Sequence, residues 1–266
     1  MKFSVVMPIH NEEKFLPYSL PSIFGLEPDE VILIFDRCTD RSMEIAKKIT
    51  EKLGYSKKTK IIELNYASPD WKFQVAFLRR HGFKMTKNDT ILNTDADTVL
   101  DRKITEYLPL IGKQGTALIS FSRTPYPLTF QNFIAKVVST FIPKIGFTGI
   151  YVFSKKAWLE TENQDAAKKI LRAEDTHLYL SISKKYKTMF AKTNTIHLRP
   201  EEKANRHFIM GVTRWTVRHD SLWTTIIRCL VYLRPLLLAG YLYARLQDST
   251  DSKKRKITRK PILQPQ

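Results

Sequence analysis

Two carboxylates one residue apart, Asp95 and Asp97, close the stretch Ile91-Leu92-Asn93-Thr94. An apolar run that ends this way puts both acids at the carboxyl end of a strand, where open α/β sheets bind ligands. Hard carboxylate oxygens suit Mg²⁺ or Mn²⁺, and an ion held by one or two carboxylates completes its shell with water and substrate phosphates. The implied substrate therefore carries a diphosphate. Taken alone, Asp-x-Asp also fits a solvated turn or a helix cap, so the surrounding elements must decide.

Lys2 to Pro8 is a short β-rich run that turns, through Ile9-His10-Asn11-Glu12-Glu13, into a segment of helical character. A second apolar strand, Glu30 to Phe35, ends at Asp36, and Thr39-Asp40 offers a cap for a helix from Arg41 to Leu53. Lys60 to Leu64 reads as a third strand and Lys72 to Lys84 as a helix. The alternation argues an α/β fold, a mostly parallel central sheet with helices on both faces. The residues just beyond each strand then share one crevice, so Pro8 to Glu12, Asp36 and Asp95 to Asp97 meet there. No Gly-x-Gly-x-x-Gly follows the first strand and no Gly-x-x-x-x-Gly-Lys-Ser/Thr occurs. Dinucleotide and P-loop readings lose their main support, and side chains with a metal must hold the nucleotide.

Together, Val5 to Glu13, Glu30 to Asp36 with Thr39-Asp40, Arg79-Arg80-His81-Gly82, Asp95-Ala96-Asp97, Gly146 to Phe153 and Ala173-Glu174-Asp175 carry a resemblance in order and spacing. The chain resembles the family 2 glycosyltransferases with the GT-A fold, inverting enzymes that use nucleotide-diphosphate sugars, over roughly residues 1 to 215. The resemblance implies that Pro8, His10 and Glu12 shape the nucleoside pocket and that Asp36 hydrogen-bonds the base. It places Arg79 and Asp95 by the donor phosphates, and Asp97 with Asp95 on Mg²⁺ or Mn²⁺. A guanidinium fork suits oxyanions, though Arg79 also reads as a solvated helix arginine. His10 stands where the family often has Tyr, and Phe35 and Arg37 replace an acid and a Gly of the usual Asp-Asp-Gly-Ser.

An inverting transfer needs a general base on the acceptor side, across the sugar from the leaving diphosphate. The family's Glu-Asp motif implies Asp175 for that role, with Glu174 positioning the acceptor or the loop. On their own, both acids also suit the N-terminal dipole of a helix over 175–185. His197, after the strand-like run Lys187 to Ile196, falls where family members often carry a histidine near the metal or diphosphate; an isolated His also reads as structural. Arg214-Trp215, on the acceptor or donor side by analogy, is similar to the end of the Gln-x-x-Arg-Trp motif of processive relatives. Gly211 takes the Gln place, so processive polymer synthesis is not supported.

With 266 residues and 43% hydrophobic content, the chain can bury one α/β core with short additions. It divides into a catalytic domain (1–215), an amphipathic helical segment (216–246) and a basic disordered tail (247–266). Two cysteines, Cys38 and Cys229, give no disulfide framework. A first strand starting at Lys2 leaves no room for a signal peptide, which points to a cytoplasmic catalytic domain. The net charge of +18 calls for an anionic partner, nucleic acid or a membrane surface. From Ser221 to Leu246 the chain is rich in Trp, Ile, Leu and Tyr, but arginines interrupt it and Pro235 breaks any single helix. Its longest uncharged stretch falls short of the roughly 20 residues that span a bilayer. An interfacial helix pair, or helices packed on the core, fits instead. Phe130 to Phe147 offers a second membrane- or acceptor-facing element, and the tail around Lys253-Lys254-Arg255-Lys256 suits anionic lipid.

The expectation is thus an inverting, metal-dependent glycosyltransferase, peripheral at the cytoplasmic face of a membrane, with a lipid-linked or surface-glycan acceptor. A nucleotidyltransferase would show a Gly-rich basic loop after the first strand, which His10-Asn11-Glu12-Glu13 is not. A non-catalytic nucleic-acid-binding module would show salt-dependent binding without nucleotide-sugar binding.

Overall fold

The computed structural model describes residues 1–126, 149–170, 173–199, 204–216, 220–231 and 234–257. Among these, eight strands form one sheet: β1 (Ser4–Ile9), β2 (Glu30–Asp36), β3 (Thr59–Leu64), β4 (Thr90–Asn93), β5 (Thr98–Val99), β6 (Thr116–Pro125), β7 (Tyr151–Ser154) and β8 (Lys187–His197). Their order is β3-β2-β1-β4-β7-β6-β8-β5. The first four run parallel, as the sequence predicts. Beyond β4 the sheet is mixed: β7 lies antiparallel between β4 and β6, β6 and β8 are parallel, and β5 pairs antiparallel with β8.

Alternation at period two sorts the strand residues onto two faces. Val5, Met7, Val31, Leu33 and Phe35 join one core with Leu16, Leu20 and Ile23 of α1 (Leu16–Phe24) and Ala46 of α2 (Ser42–Lys52). Val6, Ile32 and Ile34 join the other, with Leu78 and Phe83 of α3 (Gln74–Met85). Because both faces are covered, β1 and β2 read as continuous apolar runs.

Gly82 sets how α3 lies on the sheet. A Cβ there would come within 2.5 Å of Val6 Cγ1 and 2.7 Å of Ile34 Cδ1, so only glycine permits this approach. Arg79 and Arg80, just before it on the same helix, are both buried. Among the described residues this part also holds the α-helices α4 (Ile104–Tyr107), α5 (Lys155–Thr161), α6 (Gln164–Lys168) and α7 (Glu174–Ser183).

The chain divides into two compact units, the first comprising Met1–Leu128 with Lys144–Pro200. The second holds α8 (Ala204–Thr216), α9 (Leu222–Val231) and α10 (Pro235–Ile257). The first unit therefore ends at Pro200 rather than at residue 215. The reason lies in a helix crossing: a Cβ on Gly211 would collide with the Leu237 carbonyl oxygen, and one on Gly240 with the Phe208 carbonyl oxygen. Two glycines let α8 and α10 meet backbone to backbone, which assigns α8 to the C-terminal helices. Pro235 opens α10 and separates it from α9, so the predicted helix pair is present. α10 runs on to Ile257, so residues 247–257 are helical where composition predicts a disordered tail. Helix propagation from a packed segment outweighs the charge run there. The stretch Phe130 to Phe147 lies outside the described residues. No helix among them is long and apolar enough to cross a membrane.

Candidate active site

The site lies in the first unit, at the carboxyl ends of β1, β2 and β4. Beyond β1, His10 Nδ1 lies 2.6 Å from the Asp36 carbonyl oxygen; a carbonyl only accepts, so Nδ1 carries the proton. Asn11 adopts a left-handed φ of 53°, and its Oδ1 accepts from the Thr39 amide at 2.8 Å. This ties the β1 and β2 loops together. Pro8 pairs in register with Ile34. Asp36 is buried, and its carboxylate accepts from both ends of the Arg37 fork, at 3.0 and 2.9 Å, and from Gln74 Nε2 at 2.9 Å. Arg37, where the resemblance leads one to expect a glycine, adopts the left-handed φ (46°) that glycine takes freely, at about 1–2 kcal/mol of strain.

Asp97 is buried at the turn into β5, one residue before Thr98, which is paired with His197 on β8. His197 Nε2 lies 3.4 Å from Asp97 Oδ2 and Arg199 Nε 3.0 Å from the same oxygen. Burial opposes charge on Asp97, but His197, Arg199 and Arg123 more than offset it and hold its carboxyl below the usual range. Asp97 Oδ1 is buried with no hydrogen-bond partner, an orphaned hard oxygen beside an imidazole. This donor set fits Mg²⁺ or Mn²⁺. Among the described residues no three acidic, His or Cys side chains converge as a metal cage, so water or substrate oxygens would supply the remaining ligands. Arg199 also ion-pairs with Glu12 and lies over the Phe15 ring at 5.6 Å. Burial raises the Glu12 pKa to about 7; Arg199 works against the rise and Asp97 adds to it.

Asp95 is occupied otherwise. Arg79 Nη2 holds its Oδ1 at 2.5 Å, and Arg123 Nη1 approaches its Oδ2 at 3.5 Å. Gly149 keeps room beside it, since a Cβ there would lie 2.9 Å from Asp95 Oδ2. The other arm of Arg79 ion-pairs with Glu174. Arg79 is therefore a buried bridge between two carboxylates, where sequence reasoning places a phosphate ligand or a solvated arginine. Burial raises the Glu174 pKa; Arg79 opposes that rise and Asp175 reinforces it. Asp175, next on α7, is half-buried, and its Oδ1 accepts from the Thr176 amide at 2.6 Å.

The geometry thus gathers Pro8, His10, Glu12 and Asp36 on one side, Asp95, Asp97 and His197 in the centre, and Glu174 at the Arg79 bridge. Arg214 and Trp215 belong to the second unit, where Arg214 ion-pairs with Asp220 and Trp215 packs edge-on against Tyr241 at 5.5 Å. Gly211 is the helix-crossing residue there, which gives a packing reason for the missing Gln. Sequence reasoning gave Arg80 no role of its own and passed over Arg123, Arg199 and Glu162. Arg199 follows His197 by two residues past a strand end, the same signal that exposes Asp95 and Asp97.

The profile of the family described as Glycosyl transferase family 2 matches residues 4–152, more than half of the chain. Poly(ribitol-phosphate) beta-N-acetylglucosaminyltransferase TarS of Staphylococcus aureus is 29% identical over 107 residues, 39% of this chain but only 17% of that protein. Among solved structures, the mannosyltransferase PcManGT of Pyrobaculum calidifontis, in complex with GDP-Man and Mn²⁺, superposes with a TM-score of 0.63 at 15% identity, covering 94% of this chain and 75% of that one. Glucosyl-3-phosphoglycerate synthase of Mycobacterium tuberculosis, in complex with Mn²⁺, UDP and phosphoglyceric acid, gives 0.55 at 16% identity, covering 77% and 72%. At such identities the structural likeness establishes a shared GT-A-like α/β fold. With the sequence match over β1 to β7, it follows that the chain belongs to glycosyl transferase family 2.

Proposed function

We propose that the protein is an inverting, metal-dependent glycosyltransferase that moves a sugar from a nucleotide-diphosphate sugar to a hydroxyl or phosphate acceptor, lipid-linked or on a surface glycan. The observation that supports this reading is the Arg79 bridge: one guanidinium spans Asp95 and Glu174, the residues the reading assigns to the donor and acceptor sides. The solved structures of similar fold that hold Mn²⁺ with UDP or with GDP-Man support the donor class.

In this reading, the β1 and β2 loops, with His10, Glu12 and Asp36, receive the nucleoside. Asp97 and His197 would hold a divalent ion, which when bound supplies positive charge against the diphosphate. An acceptor hydroxyl attacks the anomeric carbon from the side opposite the diphosphate, forming the new C–O bond as the sugar–phosphate C–O bond breaks. Asp175 takes the hydroxyl proton, and the nucleoside diphosphate leaves with the bonding pair. Calorimetric titration of UDP- and GDP-sugars, with and without Mn²⁺, tests this. Wild-type protein should bind one of them in a Mn²⁺-dependent way, and Asp97→Asn should lose that dependence. Equal, metal-independent affinity in both would refute the site.

The reading includes work at an anionic membrane surface. On α9, Trp223, Ile227 and Leu230 are 71%, 50% and 71% exposed, an i, i+4, i+7 apolar stripe beside Arg228. The chain's net charge of +18 suits anionic headgroups, and aromatic and aliphatic side chains suit the interface below them.

A further inference from the structure

We infer that Arg80 and Glu162 are positioning residues that fix the Glu174-Asp175 turn, an inference that rests on the transferase reading for its kinetic consequence. Their side chains are 1% and 0% exposed. Arg80 Nη2 donates to Glu162 Oε1 at 2.6 Å, and Nε to Oε2 at 3.2 Å. The same Nη2 donates to the main-chain carbonyl of Glu174 at 3.0 Å. Glu162 is held in turn: the Trp158 indole donates to its Oε2 at 2.5 Å, Gln164 Nε2 approaches that oxygen at 3.3 Å, and His177 Nδ1 lies 3.5 Å from Oε1. Trp158 is wedged edge-on against Phe83, with ring centroids 5.5 Å apart. Burial opposes charge on Glu162, but His177, Arg80 and Trp158 more than offset it and keep it ionised.

Stability alone does not account for such a pair, because a buried ion pair is often replaceable by neutral side chains at little cost. What the pair adds is aim. α7 starts directly after Ala173, which sits at a left-handed φ of 58° and has no side-chain cap to offer, so within the first turn it is Asp175 itself that accepts an amide, from Thr176. The orientation of that turn is held by two adjacent arginines of α3: Arg79 grips the Glu174 side chain and Arg80 its main chain. A planar fork can serve Glu162 and a carbonyl at once, whereas a lysine point charge cannot hold both in fixed geometry. A small displacement of the turn moves Asp175, and misplacement by about 1 Å can cost on the order of 10²-fold in rate.

The test uses the full chain carrying Arg80→Met with Glu162→Gln, which removes both charges and leaves an acceptor for Trp158, and separately Arg80→Lys. Amide hydrogen exchange is read at His177, whose N–H bonds the Ala173 carbonyl at 3.1 Å. It should quicken by roughly 10-fold in the double variant while β1 and β2 amides stay protected. Turnover of whichever UDP- or GDP-sugar binds in the calorimetric titration should show kcat lowered by roughly 10-fold or more with donor KM unchanged, and Arg80→Lys should show the same loss. Unchanged exchange at His177, or wild-type kcat in the double variant, overturns the inference. If the double variant does not fold, Arg80→Lys, which keeps the charge beside Glu162, carries both measurements. The exchange arm decides the positioning role even in a protein that turns over no nucleotide sugar, so the two readings fail separately.

Discussion

Arg79→Met isolates what the bridge contributes. Methionine replaces most of the apolar stem and deletes the guanidinium. Asp95 keeps Arg123 at 3.5 Å, so most of the loss falls on Glu174, whose buried carboxylate loses its ion pair with Arg79 while its main-chain carbonyl keeps Arg80. Removing one partner of a buried pair costs about 3–5 kcal/mol. At about 2–4 °C per kcal/mol for a unit of this size, Tm should fall by roughly 6–20 °C. The loss depends on pH with a definite sign. A carboxyl whose folded pKa is raised contributes stability that is full below its unfolded value and lost as pH rises through the folded one. Without Arg79 the Glu174 pKa rises further, so the variant's penalty should be smaller at pH 5 than at pH 8, growing as rising pH strips the proton from the unpaired carboxyl. Thermal melts at both pH values, with Glu174→Gln added in the same background, measure it. Glu174→Gln should restore most of the loss at pH 8. A penalty under about 1 kcal/mol, equal at both pH values, would show that water reaches this pair and that the bridge is not a buried one.

Asp175→Asn should leave donor affinity intact while lowering transfer by roughly 10²-fold or more, read by steady-state kinetics; undiminished turnover would move the base role elsewhere. Glu12→Gln mimics the protonated form of a carboxyl raised from 4.5 to about 7. Relative to wild type it should gain stability as pH rises through that window, by about 1–3 kcal/mol at pH 8, measured by denaturant titration without metal; a difference that does not vary with pH would contradict the buried, raised carboxyl. Full-length protein should sediment with anionic vesicles at low salt, and Trp223→Ser with Leu230→Ser should weaken that binding while nucleotide-sugar affinity holds. Protein left in the supernatant at low salt would make α9 a packing surface.

Much of the first unit was legible because its signals are local. The apolar runs of β1, β2 and β4 end at the residues that line the crevice, and period two sorts Val5 and Met7 from Val6. The mixed half of the sheet was not legible, since the antiparallel placing of β7 between β4 and β6 depends on long-range pairing that no local pattern encodes. Arg79 was picked out for its chemistry and given a different partner, because a sequence does not tell whether a guanidinium faces a phosphate or a carboxylate. Arg80 and Glu162 stand 82 residues apart, and only the fold makes them neighbours. The end of the first compact unit at Pro200 was not legible for a related reason: Gly211 reads as a gap in a motif, whereas it marks where a second helix backbone passes.

The Arg79 bridge also has a thermodynamic meaning. Asp95 and Glu174 hold opposite ends of one guanidinium, so neither can change partner without altering the other's electrostatics. If a nucleotide sugar draws Arg79 toward its diphosphate, Glu174 is left freer to meet an acceptor, and the affinity for acceptor changes. Reciprocity then requires acceptor to change the affinity for donor by the same factor. Two substrates entering from opposite sides would sense each other through a single side chain, with cooperativity arising from competition for one cation rather than from any movement of the sheet.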